Sequence, residues 1–361
     1  MEQQIATLET STQASSTHAL KVVAIGGGTG LSRLLRGLKL FVSNAGESVG
    51  GHAAGERSVG ELTGVVTVSD DGGSSGRLRK EFNMLPPGDV RNCIVALSED
   101  EALLAQLFQY RFSAGSGLEG HNFGNLFLAA LTSITGDFAQ AVKLSSDILA
   151  TRGHIFPATL SNVQLEAKLE DGNRVRGETQ ITASKWRIVE LKLVPANVKP
   201  LPQTLDAIAA ADLITVGPGS LFTSLIPNIL VQGIPEAIAD SPAVRVYVCN
   251  LMTQANESLG LTASDHIRAL YSHARRPIFD YAVVNLAPLS NELKAKYALE
   301  GASQIVSDTD AIEALGVQCI VGDYLEEAGS ARHASAHLAR ELIGLTLRVR
   351  RQLSRKKTKP R

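Results

Sequence analysis

Apolar and polar positions along the chain switch between two periods, and the switches mark its elements. An unbroken apolar run at 22–25 reads as a buried strand. From Leu31 the apolar residues fall at 31, 34, 35 and 38, the spacing of one helical face. Four glycines between positions 26 and 30 join the two, giving strand, tight turn and helix, the first half of a βαβ unit. A second strand is predicted over 64–69, ending in Asp70 and Asp71. Val90, Cys93, Ile94 and Leu97 share a helical face behind Asp89 as a cap. Phe138, Ala141, Val142, Ile148 and Leu149 lie on another, behind Asp137 with Gln140 three residues on, a capping-box spacing.

Between 163 and 194 the period becomes two. Val163, Leu165, Ala167 and Leu169 alternate with polar residues before the turn signal Asp171-Gly172, which predicts a hairpin in a small β-rich insertion at about 160–195. The α/β rhythm resumes at 211–220, 244–250 and 280–285, and a closing helix is predicted over about 334–353. No fixed-period repeat occurs. The pattern predicts an α/β fold, a doubly wound, Rossmann-like and mostly parallel sheet, with ligand loops at the carboxyl ends of its strands. A single domain over 19–347 is expected. A polar, disordered tail (1–18) precedes it, a glycine-rich surface insertion (43–60) interrupts it, and a basic tail (348–361) follows.

The glycines narrow the chemistry. Gly26, Gly28 and Gly30 give G-x-G-x-G, but Leu31 stands where a dinucleotide fingerprint wants its last small residue, and the acidic residue about twenty positions on is missing. No Gly-Lys occurs, so a Walker A loop is excluded. What remains is a phosphate cradle of another kind, backbone N–H groups at a helix N-terminus facing an anion. "TVGPGSLFTSLIPN" (215–228) repeats the logic, and two such junctions in one sheet suit a diphosphate or nucleotide-sugar.

Other stretches carry candidate contacts. In "SDDGGSSGRLRKEF" (69–82), Asp70 or Asp71 suits Mg²⁺ or a sugar hydroxyl, and Arg77 and Arg79 suit phosphate. "GHNFGNLF" offers His121, Asn122 and Asn125 as helix caps or ligand contacts. His154 is open to a structural or a ligand role. Asn250, Thr253 and Gln254 lie just past a strand end, and Ser264-Asp265 is expected to cap the next helix.

Charge changes the picture only at one end. The chain has 35 Lys+Arg against 36 Asp+Glu, yet residues 348–361 hold eight basic residues and no acidic one. Removing those eight leaves twenty-seven basic residues against thirty-six acidic, so the body is acidic. The tail is open to nucleic acid, anionic lipid or plain solvation. Three scattered cysteines with no CxxC pair fit a reducing compartment rather than a disulfide framework or zinc site. The first eighteen residues lack the basic and apolar regions of a signal peptide, and no apolar run approaches the ~18 residues of a membrane span. A soluble, cytoplasmic protein is expected.

Taken in order, "AIGGGTGLSRLLRGLK", "TVSDDGGSSGRLR", "LPPGDVRN", "GHNFGNLFLAALT", "GHIFPAT", "VGPGSLFTSLIPN" and "YVCNLMTQ" closely resemble the gluconeogenesis factor (YvcK) family, itself related to the 2-phospho-L-lactate transferases (CofD). The resemblance implies a Rossmann-like cytoplasmic protein that binds UDP-sugars, above all UDP-N-acetylglucosamine. It also implies support of cell shape and wall synthesis during growth on gluconeogenic carbon sources. Gly27, Gly28, Thr29 and Gly30 would touch the diphosphate, with Asp70 and Asp71 at the ligand's edge. His121, Asn125, Gly217, Gly219 and Ser220 would line the crevice, and Arg77 and Asn250 complete the expected contacts. Partners would be cell-wall synthesis proteins or a further copy of the chain, and no cofactor would be required. The alternative is a phosphotransferase in which Asp70 or Asp71 holds Mg²⁺ and an acceptor hydroxyl attacks the diphosphate. One departure stands out: "MTQANES" (252–258) replaces the family's common "MTQPGET", which puts the path of that loop, and contacts by Gln254 or Glu257, in doubt.

Overall fold

The apolar run at 22–25 forms the centre of strand β1 (Leu20–Gly26), flanked by β2 (Val59–Val66) and β7 (Leu213–Val216) in a computed structural model that describes residues 19–43, 58–99 and 102–357. Every residue of β7 and all but Lys21 of β1 are buried, as strands covered by helices on both faces must be. The sheet extends through β3 (His154–Pro157) beyond β2, and through β8 (Val244–Val248), β9 (Tyr281–Asn285) and β10 (Gln318–Gly322) beyond β7. Its order is β10-β9-β8-β7-β1-β2-β3, and every neighbouring pair is parallel. The chain builds outward from β1 on one side, then returns to build outward from β7 on the other. The reversal therefore lies between β1 and β7, where a doubly wound sheet opens a crevice.

Leu31, Leu34, Leu35 and Leu38 of the helix Gly28–Lys39 are fully buried, as their spacing predicts. Each contributes roughly 1.5–3 kcal/mol as an upper estimate. This helix packs against the helices Gly88–Leu97 and Ser335–Lys357. Gly37 permits the second contact, because a Cβ there would overlap the carbonyl of Ser335.

The period-two segment forms the antiparallel strands β4 (Gln164–Leu169), β5 (Arg174–Arg176) and β6 (Ile188–Val194), with the predicted Asp171-Gly172 turn between the first two. A short helix, Glu178–Ala183, bridges β5 to β6. A hairpin of β11 (Leu325–Glu327) and β12 (Ala331–His333) has no counterpart in the sequence-based expectations.

Several expectations need correcting. The second strand covers 59–66 rather than 64–69, so Asp70 and Asp71 stand four and five residues past its end. Pro87, not Asp89, is the cap of Gly88–Leu97, and Asp89 lies in the first turn with its carboxylate turned inward. Thr262 caps the helix Ala263–Ala274, in a capping box with Asp265. His154 opens the edge strand β3. The Asp137 cap is present and accepts the Gln140 N–H at 2.9 Å. The closing helix continues to Lys357, so the first ten residues of the basic segment are helical. The tail at 1–18, residues 44–57 of the glycine-rich insertion and residues 358–361 lie outside the described residues.

Among the described residues no single helix is long and apolar enough to cross a membrane. The bent apolar pair Leu221–Ile229 and Ile234–Asp240 is core: Leu221, Ile226, Ile229, Ile234 and Ile238 are buried.

Candidate ligand-binding crevice

Ile25 pairs with Val216 and Gly26 with Val66, so the glycine turns leave β1 and β7 at the same level. After β1, Gly27 is extended and Gly28 takes φ +61°, the left-handed region that favours glycine, before the helix Gly28–Lys39 begins. After β7, a cis Gly217-Pro218 bond leads through Gly219 to Ser220 and a tight π-turn, Leu221–Leu225. The two turns touch. A Cβ on Gly30 would overlap the Pro218 carbonyl and lie 2.9 Å from the Gly219 Cα. A cavity of about 400 Å³ opens over this contact at the switch point. Gly27, Gly28, Thr29, Gly30, Ser220 and Asn250 line it.

One loop, 250–258, holds the second turn in place. Asn250 brackets Gly219, its Oδ1 accepting the backbone N–H at 2.9 Å and its Nδ2 donating to the backbone carbonyl at 2.7 Å. Gln254 Nε2 donates to Ser220 Oγ at 2.8 Å. Glu257 is buried, and its Oε1 accepts the N–H groups of Phe222 at 2.7 Å and Thr223 at 3.1 Å. Burial pushes the Glu257 carboxyl up to about 7, against the pull of those two bonds. The "MTQANES" loop thus places both residues that the missing Pro-Gly put in doubt. The helix N-terminus at the second turn already holds a carboxylate of the chain itself.

The first turn is arranged in the same way. Asp89 is half-buried beneath it and accepts the Gly28 N–H; its desolvation there and the charge of Asp70 push its carboxyl up to about 6. The first-turn N–H groups of Thr29 and Gly30 have no intrahelical partner and remain for a ligand.

Positive charge enters from two residues that sequence reasoning missed. Arg33, one turn into the helix, and Arg332, on β12, both line the cavity. Burial, then the Arg332 and Arg36 charges, hold the Arg33 guanidinium below its usual range, while Glu326 opposes them. Arg332 Nε donates to Ser330 Oγ at 2.8 Å, and Arg33 makes no ion pair among the described residues. Two like charges that repel across a cavity at a helix N-terminus form a seat for a polyanion. One signal for Arg33 was available: a helix whose first turn lacks any acidic residue yet carries a cation soon after runs against its own dipole. Arg332 had none, because its hairpin lies beyond the recognisable motifs.

Residues 22–325 match the family model of the 2-phospho-L-lactate transferase CofD. The chain belongs to the CofD family. It is 48% identical over 324 residues to the gluconeogenesis factor of Halalkalibacterium halodurans, covering 89% of this chain and 95% of that one. It is 46% identical over 300 residues to the gluconeogenesis factor of Bacillus subtilis, covering 83% and 89%. A crystal structure of a UPF0052 family member from Bacillus halodurans superposes with a TM-score of 0.84 at 47% identity, over 90% of this chain and 99% of that one.

This CofD-family chain does not bring every expected residue to the cavity. Gly217 sits behind it, where a Cβ would lie 2.6 Å from the Val248 carbonyl oxygen. Asp70 Oδ1 accepts the Gly72 N–H at 2.8 Å, and its other oxygen faces Gly88, close to Asp89. Asp71 Oδ1 is held by the insertion, accepting from Thr179 N at 2.9 Å and Thr179 Oγ1 at 2.7 Å. Arg77 Nη2 donates to the Glu119 carbonyl at 2.7 Å, and Arg79 is buried against Asn162 and Val163. His121 Nδ1 lies 3.1 Å from Ser74 Oγ, while Asn125 Nδ2 reaches Ser75 Oγ at 3.5 Å and its N–H is capped by Asn122. Ser74 is the serine of a G-x-S-x-G spacing at 72–76, but it and His121 are each 4% exposed, and the pair ties loop 119–123 to the helix Gly73–Phe82. Glu178, reaching in from the insertion, is pushed up to about 9 by desolvation and then by the charges of Asp70, Asp89, Glu257 and Asp71. These groups form a polar wall beside the cavity, joined to it through Asp70 and Asp89.

Proposed function

We propose that the crevice binds a UDP-sugar, above all UDP-N-acetylglucosamine, and that the protein is a ligand-responsive regulator acting in the cytoplasm, in cell-wall synthesis and cell shape during growth on gluconeogenic carbon sources. The observation that carries this reading is the convergence of Arg33, Arg332 and the N-terminus of Gly28–Lys39 on one cavity at the sheet's switch point. A diphosphate matches two guanidinium groups and the free N–H groups of Thr29 and Gly30 in charge and in donor geometry. The gluconeogenesis factors to which the chain is similar support the link to gluconeogenic growth. Calorimetry with UDP-N-acetylglucosamine, UDP and NAD tests it: heat with the UDP ligands and none with NAD is expected, and no heat with any UDP-sugar overturns it.

The family match favours a second reading, a Mg²⁺-dependent phosphotransferase. Asp71 fits poorly as a metal ligand because Thr179 occupies one of its oxygens. Asp70 and Asp89 also each accept one backbone N–H, from Gly72 and Gly28, but their charges act on one another, and Mg²⁺ held between their remaining oxygens would relieve that repulsion and neutralise charge on a transferring phosphate. A phosphate-ester product from a diphosphate donor, Mg²⁺ and a deazaflavin acceptor, lost in Asp70→Asn, supports this reading; an unchanged chromatogram removes it.

A further inference from the structure

A second cavity, of about 700 Å³ and within the usual range of small-molecule sites, opens between the helix Gly73–Phe82 and the β-rich insertion. It shares no lining residue with the crevice. Three cations, Arg79, Lys80 and Arg176, line it against one carboxylate, Asp71, whose Oδ1 already takes two hydrogen bonds from Thr179. Arg79 is 7% exposed, yet every acceptor it meets is neutral. Asn162 Oδ1 takes its Nε–H at 2.9 Å, and the backbone carbonyls of Ser69, Asp70 and Val163 accept from its Nη groups. Desolvation holds the guanidinium below its usual range, and the charges of Asp71 and Asp70 oppose that shift without forming an ion pair. Lys80 is exposed and makes no hydrogen bond or ion pair among the described residues. Arg174 and Arg176 share the single carboxylate of Glu166, at 2.8 Å and 2.6 Å, which leaves one of their two charges unmatched.

We propose that this cavity binds a small hydroxylated phosphomonoester, the chemistry of a sugar phosphate, with Arg79 and Lys80 on the phosphate and Gln164 and Gln180 on the hydroxyl groups. A buried cation without a carboxylate partner is costly, and a phosphate dianion supplies the counter-charge that Arg79 lacks. The side chains of Gln164 and Gln180 are exposed and make no hydrogen bond among the described residues. An amide both donates and accepts, which matches a hydroxyl group that does the same. The site also adjoins the crevice wall through one short segment. Arg176, Gly177, Thr179 and Gln180 line the second cavity, whereas Glu178, in their midst, lies among the charges of Asp70 and Asp89. A ligand that fixes this segment therefore bears on both sites.

Calorimetric titration of glucose 6-phosphate, ribose 5-phosphate and glycerol 3-phosphate into the full chain tests the proposal, with glucose and inorganic phosphate as controls. Saturable heat is expected with at least one ester, at an affinity about fivefold or more above that of inorganic phosphate, and none with glucose. Lys80→Ala, at an exposed position, should weaken ester binding about tenfold with melting temperature unchanged. Gln180→Ala should weaken it about threefold and leave inorganic phosphate unaffected. Arg33→Ala, in the crevice, should leave ester binding as it is. No heat with any of the esters at millimolar ligand overturns the proposal. So does an affinity no better than that of inorganic phosphate, or ester binding that Arg33→Ala abolishes and Lys80→Ala spares, which puts the ligand in the crevice.

Discussion

The Glu257 carboxylate accepts the backbone N–H of Phe222 at 2.7 Å, and the same oxygen takes the N–H of Thr223. An anion seat at the second glycine turn is thereby filled by the protein itself; at the first turn Asp89 takes the Gly28 N–H, and the proposed phosphate contacts fall to Thr29, Gly30 and the two arginines. Glu257→Ala would strand two buried N–H groups and should lower stability by about 2–4 kcal/mol. Glu257→Gln keeps an acceptor and should lose less than half of that. Chemical denaturation of the three proteins checks the order.

Asp89 makes stability fall as pH rises. Its carboxyl titrates near 3.8 when free and at about 6 when folded, because burial and Asp70 outweigh the Gly28 N–H and Arg91. Between those values the folded state binds the extra proton, so stability declines from about pH 4 to pH 6 and stays reduced above. Glu257 acts the same way between 4.5 and about 7. Asp89→Asn should remove about 1–3 kcal/mol of that decline. Thermal melts of wild type and variant at pH 4.5 and pH 8 should show the difference shrinking; an unchanged difference counts against the half-buried, charge-coupled carboxyl.

Gly28 and Gly30 should respond differently to the same substitution. At Gly28 the left-handed φ is the only obstacle, since the nearest atom to an added Cβ is Ser224 Oγ at 3.7 Å. Gly28→Ala should lose about 1–2 kcal/mol. At Gly30 the methyl meets the backbone of Pro218 and Gly219, so Gly30→Ala must part the two turns. It should destabilise by about 1–3 kcal/mol and also weaken ligand binding, whereas Gly28→Ala should affect binding less. Melting curves with and without UDP-N-acetylglucosamine separate the two.

The parts of this molecule that were legible in sequence are those where one stretch carries its own signal. Buried parallel strands read as an apolar run at 22–25 and as the resumed α/β rhythm at 211–220, glycine turns interrupt them, and Leu31 to Leu38 repeat at helical spacing. The parts that were not legible depend on long-range pairing. Asp89 looked like a cap because an acidic residue after Pro-Gly usually is one; its inward turn depends on Gly27 and Gly28, some sixty residues earlier. Arg332 meets Arg33 across three hundred residues, from a hairpin too short for alternation to register. The hydrogen bonds of Asp71 to Thr179 were not legible either, because nothing local predicts that partner.

Calorimetric titration of UDP-N-acetylglucosamine into the wild-type protein and into the Arg33→Ala/Arg332→Ala double variant tests the account most directly, with circular dichroism to show that both are folded. Saturable heat with wild type, and affinity at least about tenfold weaker in the double variant, is the predicted result. Equal affinity in the two proteins, or no heat with wild type at ligand well above micromolar concentration, would contradict it.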